Sequence, residues 1–115
     1  MIFNLYCNSL TSYSRYPTRV VHIGDVPLGG NNPIRIQSMT TTDTMDTLAT
    51  VEQSIRMIEA GCEYVRITAP SIREAQNLQE IKKELKKRGY TAPLIADTHF
   101  TPNAAEVAAR IVEKV

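Results

Sequence analysis

Residues 33–41, which read PIRIQSMTT, form the stretch that decides the fold of this chain. The stretch begins as a short apolar strand pattern and ends abruptly in amide and hydroxyl side chains. Two similar runs follow at intervals of about thirty residues, YVRIT at Tyr64–Thr68 and LIADTH at Leu94–His99. Each run is apolar at its start and polar at its end. The spacing predicts three strands of one sheet whose polar ends meet at the same edge.

Helix signals follow each of these strands. A capping-box pattern, Ser71 with Glu74, opens the second helix, and Thr101 followed by Pro102 opens the third. The first helix is predicted to end at Gly61, and the third is predicted to run to the last residue. The first two helices carry these apolar positions at helical spacing: Leu48, Val51, Ile55 and Ile58, then Ala75, Leu78, Ile81 and Leu85.

The segment before the first strand has a different character. Residues 1–19 are rich in Ser, Thr, Tyr and Asn without a clear period, which predicts an irregular lead-in. Two β-prone runs at residues 20–23 and 26–28 flank Gly24 and Asp25, which predicts a β-hairpin. Residues 20–115 are expected to form the N-terminal portion of one substrate-binding domain.

Three strand-then-helix units joined by short loops predict the α/β class, a parallel sheet and right-handed crossovers. The even spacing and the polar strand ends favour a (β/α)8 TIM barrel over an open doubly wound sheet. No glycine-rich phosphate loop follows the first strand, which argues against a nucleotide-binding fold. A closed barrel needs eight units and about 250 residues, so a truncated barrel with an unpaired edge at the third strand is expected. Such a piece is expected to be marginally stable or to associate through its open surfaces.

Composition excludes several classes of function. The formal charge of +1 provides no global field for nucleic acid or an anionic membrane. Cys7 and Cys62 lie far apart, with no spacing that would build a zinc site or an iron–sulfur centre. No apolar run is long enough to span a bilayer, and the N-terminus does not resemble a secretory signal, so a cytoplasmic location is expected.

Arg66 is the first candidate for chemistry. Side chains alternate along a strand, so Tyr64, Arg66 and Thr68 share one face while the two apolar residues between them face the helices. Arg66 is therefore expected to point into the barrel near its mouth, where a guanidinium needs an anionic partner. Both a bound phosphate and Asp97 on the neighbouring strand satisfy this need, and the spacing does not decide between them.

Other polar groups follow the strands at the same edge. Asp97 and His99 give a carboxylate and an imidazole on one face, suited to proton transfer or polar recognition. Taken by themselves, they are better interpreted as a capping carboxylate and a loop histidine. Gln37, Ser38 and the hydroxyls of Thr40–Thr42 suit a hydroxylated or phosphorylated ligand, or else cap the first helix. No metal site is predicted.

Three strings taken together resemble one known family. They read VHIGDVPLGGNNPIRIQSMTTTDT, EAGCEYVRITAP and PLIADTHFTPNAA. In combination they resemble the N-terminal barrel part of the 4-hydroxy-3-methylbut-2-enyl diphosphate synthase family, over about residues 14–115. The lead-in string TSYSRYPTR is similar to that of the larger, three-domain form of the family.

The resemblance implies a reductive reaction on 2-C-methyl-D-erythritol 2,4-cyclodiphosphate in the methylerythritol phosphate route to isoprenoids. It also implies a [4Fe–4S] cluster held by three cysteines and a glutamate on a separate domain, a ferredoxin or flavodoxin as electron donor, and a homodimer. None of those cluster ligands is recognised in this chain, so the piece alone is expected to be inactive.

The resemblance also carries over to individual residues. Arg66 matches the family's arginine and is the leading diphosphate ligand, while Gln37, Ser38, Asp97 and His99 match positions that line the same mouth. Thr98 departs from the isoleucine usual in the family, and local repacking without a change of chemistry is expected.

Two other interpretations are kept. One is a pterin-binding transferase barrel of the dihydropteroate synthase type, which also has an N-terminal hairpin and binds phosphate at the barrel mouth. The other is a non-catalytic structural or association module whose polar strand ends only cap helices.

Overall fold

The computed structural model describes residues 9–115, so the predicted lead-in falls partly outside the described residues, as does Cys7. Residues 9–20 form no helix or strand. They contact the loop that follows the hairpin, because the Arg15 side chain donates to the carbonyl of Asn32 at 2.6 Å. The N–H of Gly30 donates to the hydroxyl of Thr18 at 3.1 Å. These hydrogen bonds hold the N-terminal segment against the rest of the domain.

The hairpin expected from the sequence is present. Strand β1 (Val21–Ile23) pairs antiparallel with β2 (Val26–Leu28), and Gly24 at the turn has a φ of +60°. Ile23 packs in a small apolar cluster with Tyr64 and Ile95. The hydroxyl of Tyr64 donates to the carbonyl of Val26 at 3.1 Å. The hairpin thus covers the end of the sheet where the strands begin.

The main sheet has three parallel strands in sequential order: β3 (Gln37–Met39), β4 (Tyr64–Thr68) and β5 (Leu94–Asp97). Helices α1 (Thr47–Glu59), α2 (Ile72–Lys87) and α3 (Pro102–Ala109) alternate with them. The predicted α/β class with a parallel sheet is confirmed.

The core lies between the sheet and the helices. Val65 and Ile67 of β4 have no exposed surface and pack in one cluster with Leu78 and Ile81 of α2. All four predicted stripe positions of α2 are buried. In α1, Val51 is buried as predicted, and Ile55 and Ile58 pack against the core. The assignment of Leu48 to the apolar stripe is wrong, because Leu48 is 58% exposed while Thr50 in the same turn is buried.

The first main strand is shorter than its apolar pattern indicates. The pattern predicts a strand from Pro33, but β3 begins at Gln37, and Ile34 and Ile36 are 73% and 57% exposed. Arg35, just before the strand, donates to the carbonyl of Pro27 and forms an ion pair with Glu63, each at 2.8 Å. The segment before β3 is therefore held mainly by side-chain contacts and not by a strand ladder.

The third helix does not run to the end of the chain as predicted. It ends at Ala109, and Lys114 forms a parallel bridge with Ile95 of β5. The N–H of Ala96 donates to the carbonyl of Lys114 at 2.9 Å, so the expected unpaired edge at the third strand is partly covered. The Glu113 carboxylate accepts from the N–H of Leu94 at 2.8 Å. Through these contacts, the residues after α3 lie along the edge of the sheet beside β5.

The start of α2 differs in detail from a capping box. Ser71 is the N-cap, but its hydroxyl donates to the carboxylate of Glu74 and makes no side-chain bond to the helix backbone. This hydrogen bond, followed by one from the Glu74 N–H, lowers the pKa of the Glu74 carboxyl below its usual range. The stabilisation is therefore full above the ordinary carboxyl pKa and is lost as the pH falls through the lowered pKa.

Replacing Ser71 by alanine is expected to reduce the free energy of unfolding by about 0.5–1 kcal/mol at pH 7. The difference between the two proteins should shrink near pH 3, since a protonated Glu74 no longer depends on the serine hydroxyl. Urea unfolding at both pH values measures it. An equal difference at pH 7 and pH 3 would contradict the role given to Glu74.

The outer edge of β3 has no strand partner among residues 9–115. Several apolar side chains at this edge are exposed. Self-association of the chain remains a prediction, and this edge is the surface through which we expect it. Replacing Ile36 by lysine should weaken concentration-dependent association in sedimentation equilibrium, because a charge on an open edge opposes strand pairing. Leu10→Lys, at a residue that is 95% exposed in the lead-in, is the matched control and should change nothing.

No helix in the described part of the chain is long and apolar enough to cross a membrane.

Candidate functional site

Arg66 lies at the centre of the candidate site. It sits in the middle of β4, on the face opposite Val65 and Ile67, as the strand alternation predicts. Its side chain is 41% exposed, and its Nη2 atom lies 3.3 Å from Oδ2 of Asp97 on β5. The internal ion pair considered from the sequence is therefore present. Because the pair is long and half exposed, it contributes little to stability.

One atom of this guanidinium is left unsatisfied. Among residues 9–115, the Nε of Arg66 is the one buried side-chain nitrogen or oxygen without a hydrogen-bond partner. A buried donor without an acceptor costs about 1–3 kcal/mol. The Nε and Nη atoms of arginine bind carboxylates and phosphates through two parallel hydrogen bonds. An oxyanion bound at this position would accept a hydrogen bond from Nε, with which Asp97 makes none.

A cleft of about 230 Å³ opens beside Arg66. Two cations and one carboxylate line it, so its formal charge is positive. The lining residues are Gln37, Arg66, Ile95, Ala96, Asp97, Thr98, Lys114 and Val115. The cleft lies on the face of the sheet that carries Arg66 and extends past the carboxyl end of β5 at Thr98, and the carboxyl ends of strands are where α/β folds place their ligands.

His99 adjoins this cleft on the loop after β5. Its Nδ1 atom lies 3.6 Å from Oδ1 of Asp97, which is ion-pair range but longer than a hydrogen bond. Asp97 therefore faces Arg66 with one oxygen and His99 with the other. The sequence placed these three side chains together, and the structure brings them into contact.

Gln37 and Ser38 point to different faces of β3. Gln37 pairs with Tyr64, whose side chain is on the cleft face, and Gln37 lines the cleft. Ser38 pairs with Val65, whose side chain packs against the helices, so Ser38 lies on the opposite face from Arg66. The register therefore does not place Ser38 on the same face as the other predicted mouth residues.

The threonine hydroxyls after β3 are used by the fold. The side chain of Gln53 accepts from the N–H groups of Thr41 and Thr42 and donates to the hydroxyl of Thr41. Thr42 and Thr50 share a hydrogen bond at 2.7 Å. These contacts anchor the loop to α1 through side chains, whereas the N-cap of α1 is Asp46, so the hydroxyls of Thr41 and Thr42 do not cap the helix.

Lys114 is the cleft residue that the sequence did not indicate. It was assigned to the end of the third helix, whereas the structure pairs it with Ile95 on the cleft side of β5. The residues around it, VEKV, are too few to reveal a strand period. The side-chain contacts of Glu113 that end the helix are non-local and give no sequence signal.

The described residues do not fit the iron–sulfur cluster that the resemblance implies. That cluster needs three cysteines and a glutamate, whereas Cys62 is the one cysteine within residues 9–115. No group of three or more metal-binding side chains occurs in the same part of the chain.

A family model described as the GcpE TIM-barrel domain matches residues 18–115. The chain belongs to this family. The GcpE match begins just before the hairpin and includes all three strand-helix units, so every residue of the candidate cleft falls within it. The resemblance found in the sequence motifs is confirmed.

Curated relatives agree with the GcpE assignment. A protein of Parabacteroides distasonis is 62% identical over 104 residues, which are 90% of this chain and 17% of the relative. A protein of Phocaeicola vulgatus is 58% identical over 106 residues, or 92% of this chain and 17% of the relative. A protein of Protochlamydia amoebophila is 51% identical over 115 residues, which are 100% of this chain and 18% of the relative.

All three relatives are named 4-hydroxy-3-methylbut-2-en-1-yl diphosphate synthase (flavodoxin). The chain spans less than a fifth of the length of these GcpE relatives.

Proposed function

We propose that this chain is the N-terminal part of the barrel of a 4-hydroxy-3-methylbut-2-en-1-yl diphosphate synthase. Such an enzyme converts 2-C-methyl-D-erythritol 2,4-cyclodiphosphate reductively into 4-hydroxy-3-methylbut-2-enyl diphosphate, a step of isoprenoid biosynthesis. The family membership and the shared name of relatives up to 62% identical support this proposal. The observation that carries it at the level of the site is the buried, unpartnered Nε of Arg66 in a positively charged cleft.

In this proposal the cleft binds the diphosphate group. Arg66 donates two parallel hydrogen bonds to phosphate oxygens, one of them from Nε. Lys114 supplies a second positive charge, and the amide of Gln37 offers a further donor. Asp97 holds the guanidinium in the empty cleft through its 3.3 Å contact, so that the side chain need not be ordered when the ligand arrives.

Asp97 and His99 have a different proposed role. Reductive opening of the cyclodiphosphate takes up two electrons and two protons, leaves the diphosphate attached to the product and eliminates one hydroxyl as water, so polar groups that exchange protons or hydrogen bonds are needed near the substrate. His99 beside Asp97 suits a role there because its two imidazole nitrogens can exchange hydrogen bonds with both the carboxylate and a ligand. The residues of this chain thus bind, orient and exchange protons, and no electron transfer is assigned to them.

The finer architecture belongs to the same proposal. The three strand-helix units would form the first part of a (β/α)8 barrel, with the hairpin covering its N-terminal end and residues 20–115 belonging to the substrate domain. The open edges at β3 and beside Lys114 would pair with further strands. The family's [4Fe–4S] cluster, a homodimer and a cytoplasmic location are proposed for the whole protein. Flavodoxin is the proposed electron donor because the relatives' names include it.

A chimera tests this function. The segment matching residues 18–115 replaces its counterpart in the Parabacteroides distasonis synthase, a protein 62% identical over 104 residues. The chimera is expected to bind the cyclodiphosphate and to form the linear diphosphate when reduced flavodoxin is supplied. The unmodified relative is the positive control, and the 115-residue chain alone is expected to give no turnover.

Two outcomes decide against the proposal. A folded chimera with its cluster present that binds no cyclodiphosphate in calorimetry would favour a non-catalytic structural module. Binding of a pterin in place of the cyclodiphosphate would favour the dihydropteroate synthase type of barrel.

A further inference from the structure

Phe100, in the loop between β5 and α3, has two unfavourable features at once. Its φ is +63°, and it is the one non-glycine residue with a positive φ among residues 9–115. Its aromatic side chain is 100% exposed. A side chain with a Cβ in the left-handed region costs about 1–2 kcal/mol, and an exposed phenyl ring gains nothing from burial. Neither backbone preference nor packing against the core therefore accounts for a phenylalanine at this position.

The ring does make one specific contact. It meets the imidazole of His99 edge to face, with ring centroids 5.6 Å apart and an interplanar angle of 83°. This is a favoured geometry for an aromatic pair, because the positive edge of one ring faces the negative face of the other. The strain and the contact thus occur in the same residue.

His99 contacts two groups. The ring of Phe100 meets its imidazole edge to face, and Oδ1 of Asp97 lies 3.6 Å from its Nδ1 atom. The charged groups near this imidazole come from two strands, Asp97 on β5 and Arg66 on β4. A row of contacts therefore joins Phe100, His99, Asp97 and Arg66, and the last of these lines the cleft.

We propose that Phe100 is a positioning residue for His99. Its ring holds the imidazole with Nδ1 directed toward the Asp97 carboxylate, so that Nε2 is the nitrogen available to a ligand in the cleft. A neutral imidazole carries its hydrogen on one nitrogen, and a nearby carboxylate favours the Nδ1–H form. Nε2 is then a hydrogen-bond acceptor or proton acceptor. The ligand part of this inference rests on the proposed function, whereas the orientation of the ring does not.

The tautomer of His99 can be measured directly by nuclear magnetic resonance. The chain has two histidines, and His22 in the hairpin serves as an internal reference. In ¹⁵N-detected nuclear magnetic resonance of the 115-residue chain at pH 8.5, His99 is expected to show a larger share of the Nδ1–H tautomer than His22. Phe100→Ala is expected to abolish this difference, while Phe100→Tyr, which keeps the ring, is expected to retain it.

Phe100→Gly separates the ring from the backbone. Glycine adopts a positive φ without strain, so this variant should have a higher Tm than Phe100→Ala. It should nevertheless lose the tautomer difference, because it lacks the ring. Equal tautomer shares in the wild-type chain and Phe100→Ala would overturn the proposal. So would a difference lost in Phe100→Ala and restored in Phe100→Gly, since the backbone would then position His99.

This test is independent of the proposed function. A chimera that fails to bind the cyclodiphosphate leaves the tautomer result unchanged, and a failed tautomer result leaves the binding assay unchanged. In an active chimera, Phe100→Ala should shift the pH profile of turnover while Phe100→Tyr preserves it, which a purely structural role would not produce.

Discussion

Arg66→Met in the chimeric synthase is expected to weaken binding of the cyclodiphosphate by about 100-fold, equivalent to about 3 kcal/mol. Methionine keeps much of the length of the arginine stem but has no donor, so both hydrogen bonds to the phosphate are lost. The Asp97 carboxylate would also remain in the cleft without its cation and would repel the ligand. Calorimetric titration measures the loss.

Two further variants make the result specific. Arg66→Lys keeps the charge but not the paired donors, so an intermediate loss is expected. Arg110→Met removes the same charge at the C-cap of α3, where the side chain is 73% exposed and pairs with Glu106. It should leave binding unchanged. Normal affinity in Arg66→Met, or an equal loss in Arg110→Met, would contradict the assignment of the diphosphate to Arg66.

Ile67→Ala is expected to lower the free energy of unfolding of the chain by about 2–5 kcal/mol. Ile67 has no exposed surface and packs between the sheet and α2, so its truncation leaves a cavity that neighbouring side chains fill only in part. In a domain whose total stability is about 5–15 kcal/mol, this loss is a large share of the total. Denaturant unfolding followed by circular dichroism measures it.

Ile67→Val is the matched control, with an expected cost of about 0.5–1.5 kcal/mol, because it removes one methylene and keeps the β-branched shape. An alanine variant no less stable than the valine variant would show that β4 is not packed as described. Arg66 and Ile67 are adjacent but face opposite sides of one strand. Substitution of Arg66 should affect binding with little effect on stability, whereas substitution of Ile67 should affect stability.

Much of the fold could be predicted because its determinants are local. The spacing of apolar residues, the glycine turn of the hairpin and the proline at the start of α3 each act within a few residues. The path of the chain after α3 could not be predicted, because it includes non-local contacts such as that of Glu113 with the backbone of Leu94. The exposure of Ile34 and Ile36 likewise depends on which strands lie beside them, and no local pattern contains that information.

The candidate site divides in the same way. Alternation along β4 was enough to put Arg66 on the cleft face and near Asp97. The face of Ser38 depends on the register between β3 and β4, and a shift of one residue reverses it. Lys114 and Phe100 were missed because one depends on a strand bridge and the other on a backbone conformation. Neither leaves a recognisable motif.

The sequential order of β3, β4 and β5 has a consequence for biosynthesis. Each strand pairs with the strand translated just before it, and the bridge at Lys114 continues this order. Contacts between near neighbours in sequence lower the entropy cost of closing loops and speed folding. The sheet can therefore start to assemble on the ribosome, one strand at a time, before the later strands have left the exit tunnel.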